Sequence, residues 1–251
     1  RARHRARIAA GIQQQPQLHA MHPFDSPLEC SALFSQTFVS AGLCIGYDVP
    51  GYEAWLEAQE AEIWHRVYAY YRTLLQRIAW FRRRTQWVLK SPDHLSHLDS
   101  LTAAFPDVCA VHLHRDPQKS VPSTCSLAAS RRAIHSDRVD LRRIGELVLR
   151  RLAGGIRHNL EARSRINPAR IVDLRYTELV RDPIGSVRRI HDHFGLGFEP
   201  AMEQGMARWL AAHPQPKGGA HRASLATFGL TAEQVDGAFA GYRERFGLSA
   251  E

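Results

Sequence analysis

The chain has 251 residues, 44% hydrophobic and 23% charged, enough for one sizeable α/β domain with a real core. No apolar run approaches the ~18 residues needed to cross a bilayer, and the basic N-terminus lacks the apolar stretch of a secretory signal. A formal charge of +8 favours an anionic partner (nucleic acid, a membrane surface or a nucleotide) without choosing among them. Cys30, Cys44, Cys109 and Cys125 are widely spaced with no C-x-x-C pair, so neither a cysteine zinc site nor a disulfide framework is indicated. A reduced, cytoplasmic location is expected.

In chain order, residues 1–12 read as the tail of a helix that opens on Arg rather than Met, as in a fragment of a longer chain. A loop over 22–27 precedes a helix over 28–43. Residues 50–84 are the clearest helical region, with Trp55, Leu56, Ile63, Val67, Tyr70, Tyr71, Leu74, Leu75 and Ile78 near helical spacing. Residues 87–89 are a short apolar run predicted as a buried strand, followed by a helix over 94–104 and a second strand over 108–113. A helix starts at about Gln118, and Ile144, Val148, Leu152, Ile156 and Leu160 mark a long one ending near Asn167-Pro168. Residues 171–174 are a third strand. Asp182 and Pro183 cap a helix faced by Ile184, Val187, Ile190, His191 and Phe194 and closed by Gly195. Thr231 opens a last helix through Tyr242 and Phe246.

Strands alternating with helices predict a three-layer α/β/α fold around a central parallel sheet. One domain spans 1–251, with a helical region at about 13–84 and an α/β region at about 85–251. Ligands of such sheets bind beyond the carboxyl ends of the strands. That rim starts with Lys90, Arg115 and Arg175-Tyr176, cations for phosphate and a ring face for a base.

The blocks Trp87-Val88-Leu89-Lys90-Ser91-Pro92-Asp93-His94-Leu95 and His112-Leu113-His114-Arg115-Asp116-Pro117 come first. Val172-Asp173-Leu174-Arg175-Tyr176-Thr177-Glu178-Leu179 and Asp182-Pro183 follow. Then come His221-Arg222-Ala223-Ser224-Leu225, Phe228-Gly229-Leu230 and Tyr242-Arg243-Glu244-Arg245-Phe246-Gly247. In this order and spacing they resemble the bacterial sulfotransferase family, whose donor is 3′-phosphoadenosine 5′-phosphosulfate and whose fold is P-loop NTPase-like. The resemblance implies that Arg115 and Ser123 bind the donor's 3′-phosphate, a role that a bidentate guanidinium and a helix hydroxyl suit. It implies an adenine-side role for Tyr176, and for Lys90 stabilisation of charge on the oxygen between phosphate and sulfur. His94, one helical turn past Lys90, is a candidate for orienting the acceptor or taking its proton. Pro92 stands where better-known cytosolic members carry a histidine base. The loop Lys217-Gly218-Gly219-Ala220-His221-Arg222 is expected to touch the donor through its backbone, His221 and Arg222, with Ala223 replacing a common aromatic.

The family's first strand and its Ser/Gly/Thr-rich loop for the 5′-phosphosulfate have no counterpart, and no G-x-x-x-x-G-K-[ST] motif occurs. Glu29 is the nearest acidic residue after the 22–27 loop and is not assigned the base role. The 251-residue chain is therefore expected to be inactive or impaired. The expected parent reaction moves a sulfuryl group to a hydroxyl or amine of a small-molecule, lipid or glycan acceptor, with no metal. Apolar aromatics between Leu28 and Trp80 hint at a lipid-like or aromatic acceptor. Two alternatives stand beside it: a non-catalytic nucleotide-binding remnant acting as an interaction module, and a nucleic-acid-binding protein. No helix-turn-helix, finger or RNP pattern supports the second.

Overall fold

A computed structural model describes residue 13 and residues 29–82, 86–214 and 224–248. The chain enters through α1 (Ser31–Phe34), a 3-10 turn, α2 (Ala41–Gly46), α3 (Pro50–Glu57) and α4 (Ala61–Arg82). Next come α5 (Asp93–Ser96), α6 (Leu98–Ala104), strand β1 (Ala110–His114), α7 (Pro117–Arg132) and α8 (Leu141–Arg163). Strand β2 (Ile171–Arg175) leads to α9 (Tyr176–Arg181), α10 (Pro183–Phe194), α11 (Pro200–Ala212) and α12 (Ala232–Phe246). The result is a helix-dominated α/β fold with a small parallel sheet, β1 beside β2 in the register His112↔Asp173 and His114↔Arg175.

Several predicted elements are divided by local chemistry. The expected 28–43 helix breaks at Phe38, whose φ of 56° is left-handed. The Tyr52 hydroxyl holds that break, donating to the Phe38 carbonyl at 2.8 Å and accepting from the Ser40 amide at 3.0 Å. Ser40 then caps α2 by accepting from the Gly42 amide. The expected 50–84 helix is α3 and α4. The Gln59 side-chain amide takes the Trp55 carbonyl at 2.6 Å, so the Gln59 backbone amide turns to Leu56 and the ladder stops. His97, stacked on Trp64 with ring centroids 3.6 Å apart, divides the expected 94–104 helix.

The expected strand at 87–89 is a correction. Residues 86–90 are outside any helix or strand, and Val88 is 94% exposed. A strand is stabilised only by a paired neighbour, and among the described residues β1 pairs with β2 alone. The tail at 1–12 and the loop at 22–27 lie outside the described residues. α9 and α11 were not anticipated from the sequence.

α8 is the spine between two apolar cores. Leu147 and Ala162 join Phe34, Trp64, Tyr68, Tyr71 and Leu98 on one side. Ile144, Val148 and Ile156 join Val121, Cys125, Phe228, Val235 and Phe239 on the other. Contact is close at two glycines and requires glycine at the first: a Cβ at Gly145 would lie 2.2 Å from the Phe228 carbonyl oxygen, and one at Gly155 would lie 2.4 Å from Ser96 Oγ, a hydroxyl that can rotate away. A charged cross-link ties α3 to α7 and α8. Arg132, 3% exposed, donates to the Cys44 carbonyl at 2.7 Å and lies 3.6 Å from Glu53, which also accepts from Arg143 at 2.8 Å.

Candidate functional site

Parallel pairing sets the carboxyl ends of β1 and β2 side by side, so the residues that follow them meet. Asp116, 1% exposed, is the N-cap of α7: its carboxylate accepts from the Gln118 amide at 3.1 Å and from Arg243 at 3.0 Å. Arg115, one residue earlier and half-buried, carries its guanidinium carbon 4.3 Å above the ring centroid of Tyr176. Tyr176 is the first residue of α9. Two rim residues far apart in sequence thus form one cationic and aromatic surface. Ser123 lies two turns into α7, exposed.

Lys90 and His94 sit in separate settings. Lys90 is exposed at the end of the irregular 86–90 segment, where its carbonyl accepts from the Cys30 amide at 2.9 Å. Its ammonium is paired with the carboxylate of Glu29. His94, on the short helix α5, is walled by Phe34, Tyr68 and Tyr71. Its Nδ1 is hydrogen-bonded to the fully buried Tyr68 hydroxyl at 2.9 Å, while Nε2 is buried with no partner. Burial pushes the His94 imidazole down to about 4, so the ring is neutral at pH 7. His221 and Arg222 lie outside the described residues.

One network was missed by the sequence reading. His112 and His114 point to the same side of β1, two residues apart, and Asp173 faces them from β2. His114, 2% exposed, bonds Asp173 Oδ1 through Nε2 at 2.8 Å and the Tyr242 hydroxyl through Nδ1 at 3.0 Å. Arg163 donates to Asp173 Oδ2 at 2.6 Å and to His112 Nδ1 at 3.3 Å. Burial works against ionisation of Asp173, but the bonds from Arg163 and His114 outweigh it and hold the carboxyl below its ordinary value. Burial pushes His112 down to about 3, and His114 down as well. The ligand atoms of His112, His114 and Asp173 lie within 4.8 Å of one another, a spacing open to a metal ion. The Arg163 guanidinium already serves as the cation there, bridging the carboxylate and His112. An open cavity of about 420 Å³ borders the network, lined by His114, Asp173, Arg175, Glu178 and Arg245. The signal was the alternating His-Leu-His of β1, silent until the register supplied Asp173.

The profile of the sulfotransferase family matches residues 1–200. The omega-hydroxy-beta-dihydromenaquinone-9 sulfotransferase Stf3 of Mycobacterium bovis and that of Mycobacterium tuberculosis are each 32% identical over 174 residues, covering 67% of this chain and 44% of theirs. The crystal structure of sulfotransferase STF9 from Mycobacterium avium is similar with a TM-score of 0.81 at 27% identity, covering 98% of this chain and 65% of that one. Sulfotransferase STF1 from Mycobacterium tuberculosis H37Rv gives 0.75 at 32% identity, over 93% of this chain and 62% of that one. The chain thus spans less than half the length of the curated relatives it matches. Among the described residues, no helix is long and apolar enough to cross a membrane. With its blocks in order, its rim of Arg115 and Tyr176 and its fold shared with solved members, the chain belongs to the sulfotransferase family.

Proposed function

We propose that the protein is a sulfotransferase whose rim binds 3′-phosphoadenosine 5′-phosphosulfate and passes its sulfuryl group to a hydroxyl or amine of a small-molecule, lipid or glycan acceptor. The observation that carries this reading is the Arg115 guanidinium above the Tyr176 ring. A guanidinium held over an aromatic ring brings a phosphate-binding cation and a ring for a base to one place. Ser123, His221 and Arg222 complete the donor side in this reading. Bound there, the donor supplies the activated sulfuryl group.

On the transfer side, Lys90 neutralises negative charge as the phosphate leaves, and Glu29 holds its ammonium in place. His94 is neutral at pH 7 with Tyr68 fixing Nδ1, and its buried Nε2 meets an acceptor hydroxyl once the acceptor displaces the side chains that cover it. Its low proton affinity suits orienting an acceptor hydroxyl better than storing a proton. A lipid acceptor is favoured, since the curated relatives are named for a menaquinone-derived substrate. Cys30, Cys44 and Cys125 are buried thiols and no cysteine is in a disulfide, which suits a cytoplasmic enzyme. We assign one domain, with acceptor-side helices at about 13–84 and the donor side at about 85–251.

Calorimetric titration with adenosine 3′,5′-bisphosphate tests the donor reading. Arg115→Ala is expected to weaken binding about 10- to 100-fold, the loss of a charged hydrogen bond, with Arg115→Lys in between. Equal affinity in all three proteins would overturn it. Binding without sulfate transfer, in this chain and in one extended at its N-terminus, would favour the non-catalytic remnant.

A further inference from the structure

α4 begins inside the core and ends in water. Trp64, Val67, Tyr68 and Tyr71 are buried in its first half, whereas Trp80 and Phe81 at its end are each 82% exposed. Ile78 is 37% exposed and Val88, just beyond the helix, 94%. A soluble surface rarely gathers large apolar side chains in this way without a partner. Trp80 also continues a face of the helix, four residues past Gln76 and seven past Thr73. Upstream on that face, Thr73 and Gln76, with Ser100, Ala103 and Ala104 of α6, line an open groove of about 600 Å³.

The described charged side chains on the second half of α4, Arg72 and Arg77, are both basic. Between Glu62 and Asp93 the sequence carries Arg66, Arg72, Arg77, Arg82, Arg83, Arg84 and Lys90 and no acidic residue; Arg66 is paired with Glu62 and Lys90 with Glu29. Arg72 lines the groove, and Arg72 and Arg77 are both exposed. Basic side chains flanking a Trp-Phe pair are the composition that binds the headgroup layer of an anionic bilayer, where rings enter the acyl boundary and guanidiniums meet phosphates. Nucleic acid offers the same charge. It has no use for the exposed aliphatic side chain of Ile78 on α4, or for the alanine-lined wall formed by Ala69, Ala103 and Ala104.

We propose that the C-terminal end of α4 docks this protein on an anionic phospholipid surface. Trp80 and Phe81 insert between headgroups, and Arg72 and Arg77 hold lipid phosphates. Contact is peripheral, and it brings the groove beside α6 to the bilayer from which a lipid acceptor would come. The proposal rests on the lipid-acceptor reading for its purpose and on the exposed, basic helix end for its evidence.

Co-sedimentation with vesicles of phosphatidylcholine, with and without phosphatidylglycerol, tests it on the 251-residue chain. Wild type is expected on the anionic vesicles and released by high salt, with about tenfold weaker binding to neutral ones. Replacing both Trp80→Ala and Phe81→Ala is expected to weaken anionic-vesicle binding at least about tenfold. Arg72→Gln with Arg77→Gln is expected to do so by a similar factor. Unchanged thermal unfolding of the variants would show that they fold. Vesicle binding equal in wild type and the aromatic variant would overturn the proposal. So would no vesicle binding at all, whether the patch then proves to hold a single-stranded oligonucleotide or, by sedimentation, a second copy of the chain. Bisphosphate titration separates the two readings: vesicle binding without nucleotide binding removes the sulfotransferase reading and leaves the docking surface standing.

Discussion

Asp173 shows how much chemistry one residue gathers when strand register is fixed. It accepts from His114 on the neighbouring strand and from Arg163 at the end of α8, and both donors are largely buried. Asp173→Asn keeps the shape and removes the charge, leaving the Arg163 guanidinium without its counter-ion. Asp173 is itself part-exposed, so solvent screens some of the effect, and a loss of about 1–3 kcal/mol is expected. Urea unfolding of the two proteins measures it, and a change under about 0.5 kcal/mol would show that the network is not structural. The same residue illustrates what the sequence lacked. His112 and His114 were visible as an alternating pair, but Asp173 stood in a separate block with no sign that it faced them. Arg115 and Tyr176 were legible one by one as strand-end residues, whereas their contact follows only from the parallel register.

At the scale of elements, α8 governs how tightly the two cores close. Gly145 and Gly155 are contact points and Gly154 is not: a Cβ at Gly154 would find only an Arg157 side-chain nitrogen at 3.8 Å. Gly145→Ala meets a backbone carbonyl that cannot swing away, so a loss of about 2 kcal/mol or more is expected. Gly154→Ala in the same helix is expected to be neutral or stabilising by up to about 1 kcal/mol, because alanine is the better helix former. Thermal unfolding of the pair compares them directly, and equal shifts would refute the close approach at Gly145. Element ends were the most legible feature of this chain. Asp182 accepts from the Gly185 amide, Thr231 and Gln234 form a reciprocal cap, and Gly195 closes α10 with φ 65°. Each signal acts within four residues. The 87–89 strand failed because apolar character makes a segment eligible for a sheet but does not provide the neighbour that forms one.

For the whole molecule, buried imidazoles tie stability to pH. Burial pushes His94 down to about 4 and His97 and His112 down to about 3, from an ordinary value of about 6.5. The unfolded chain therefore takes up protons that the folded chain refuses, and stability rises with pH where the two differ. It is complete above about pH 6.5 and is lost as pH falls towards 4, with a slope approaching about three protons. Urea midpoints at pH 7.5, 6 and 5 are expected to fall in that order, and His97→Phe to flatten the decline. A constant midpoint would contradict burial of these rings.

By itself the sequence determined the local grammar of this protein. Caps, helix stops, the alternation of strands with helices and the cationic strand ends all rest on interactions between near neighbours or on side-chain periodicity. The ordered blocks supplied the family in the same way, residue by residue. Tertiary structure alone decided that Arg115 lies over Tyr176, that Glu29 pairs with Lys90, that Tyr68 holds His94, and that aromatic side chains of α4 are core at one end and surface at the other. Those facts depend on which distant segments become neighbours and on what is left uncovered when they pack, and neither is encoded within the reach of one helical turn.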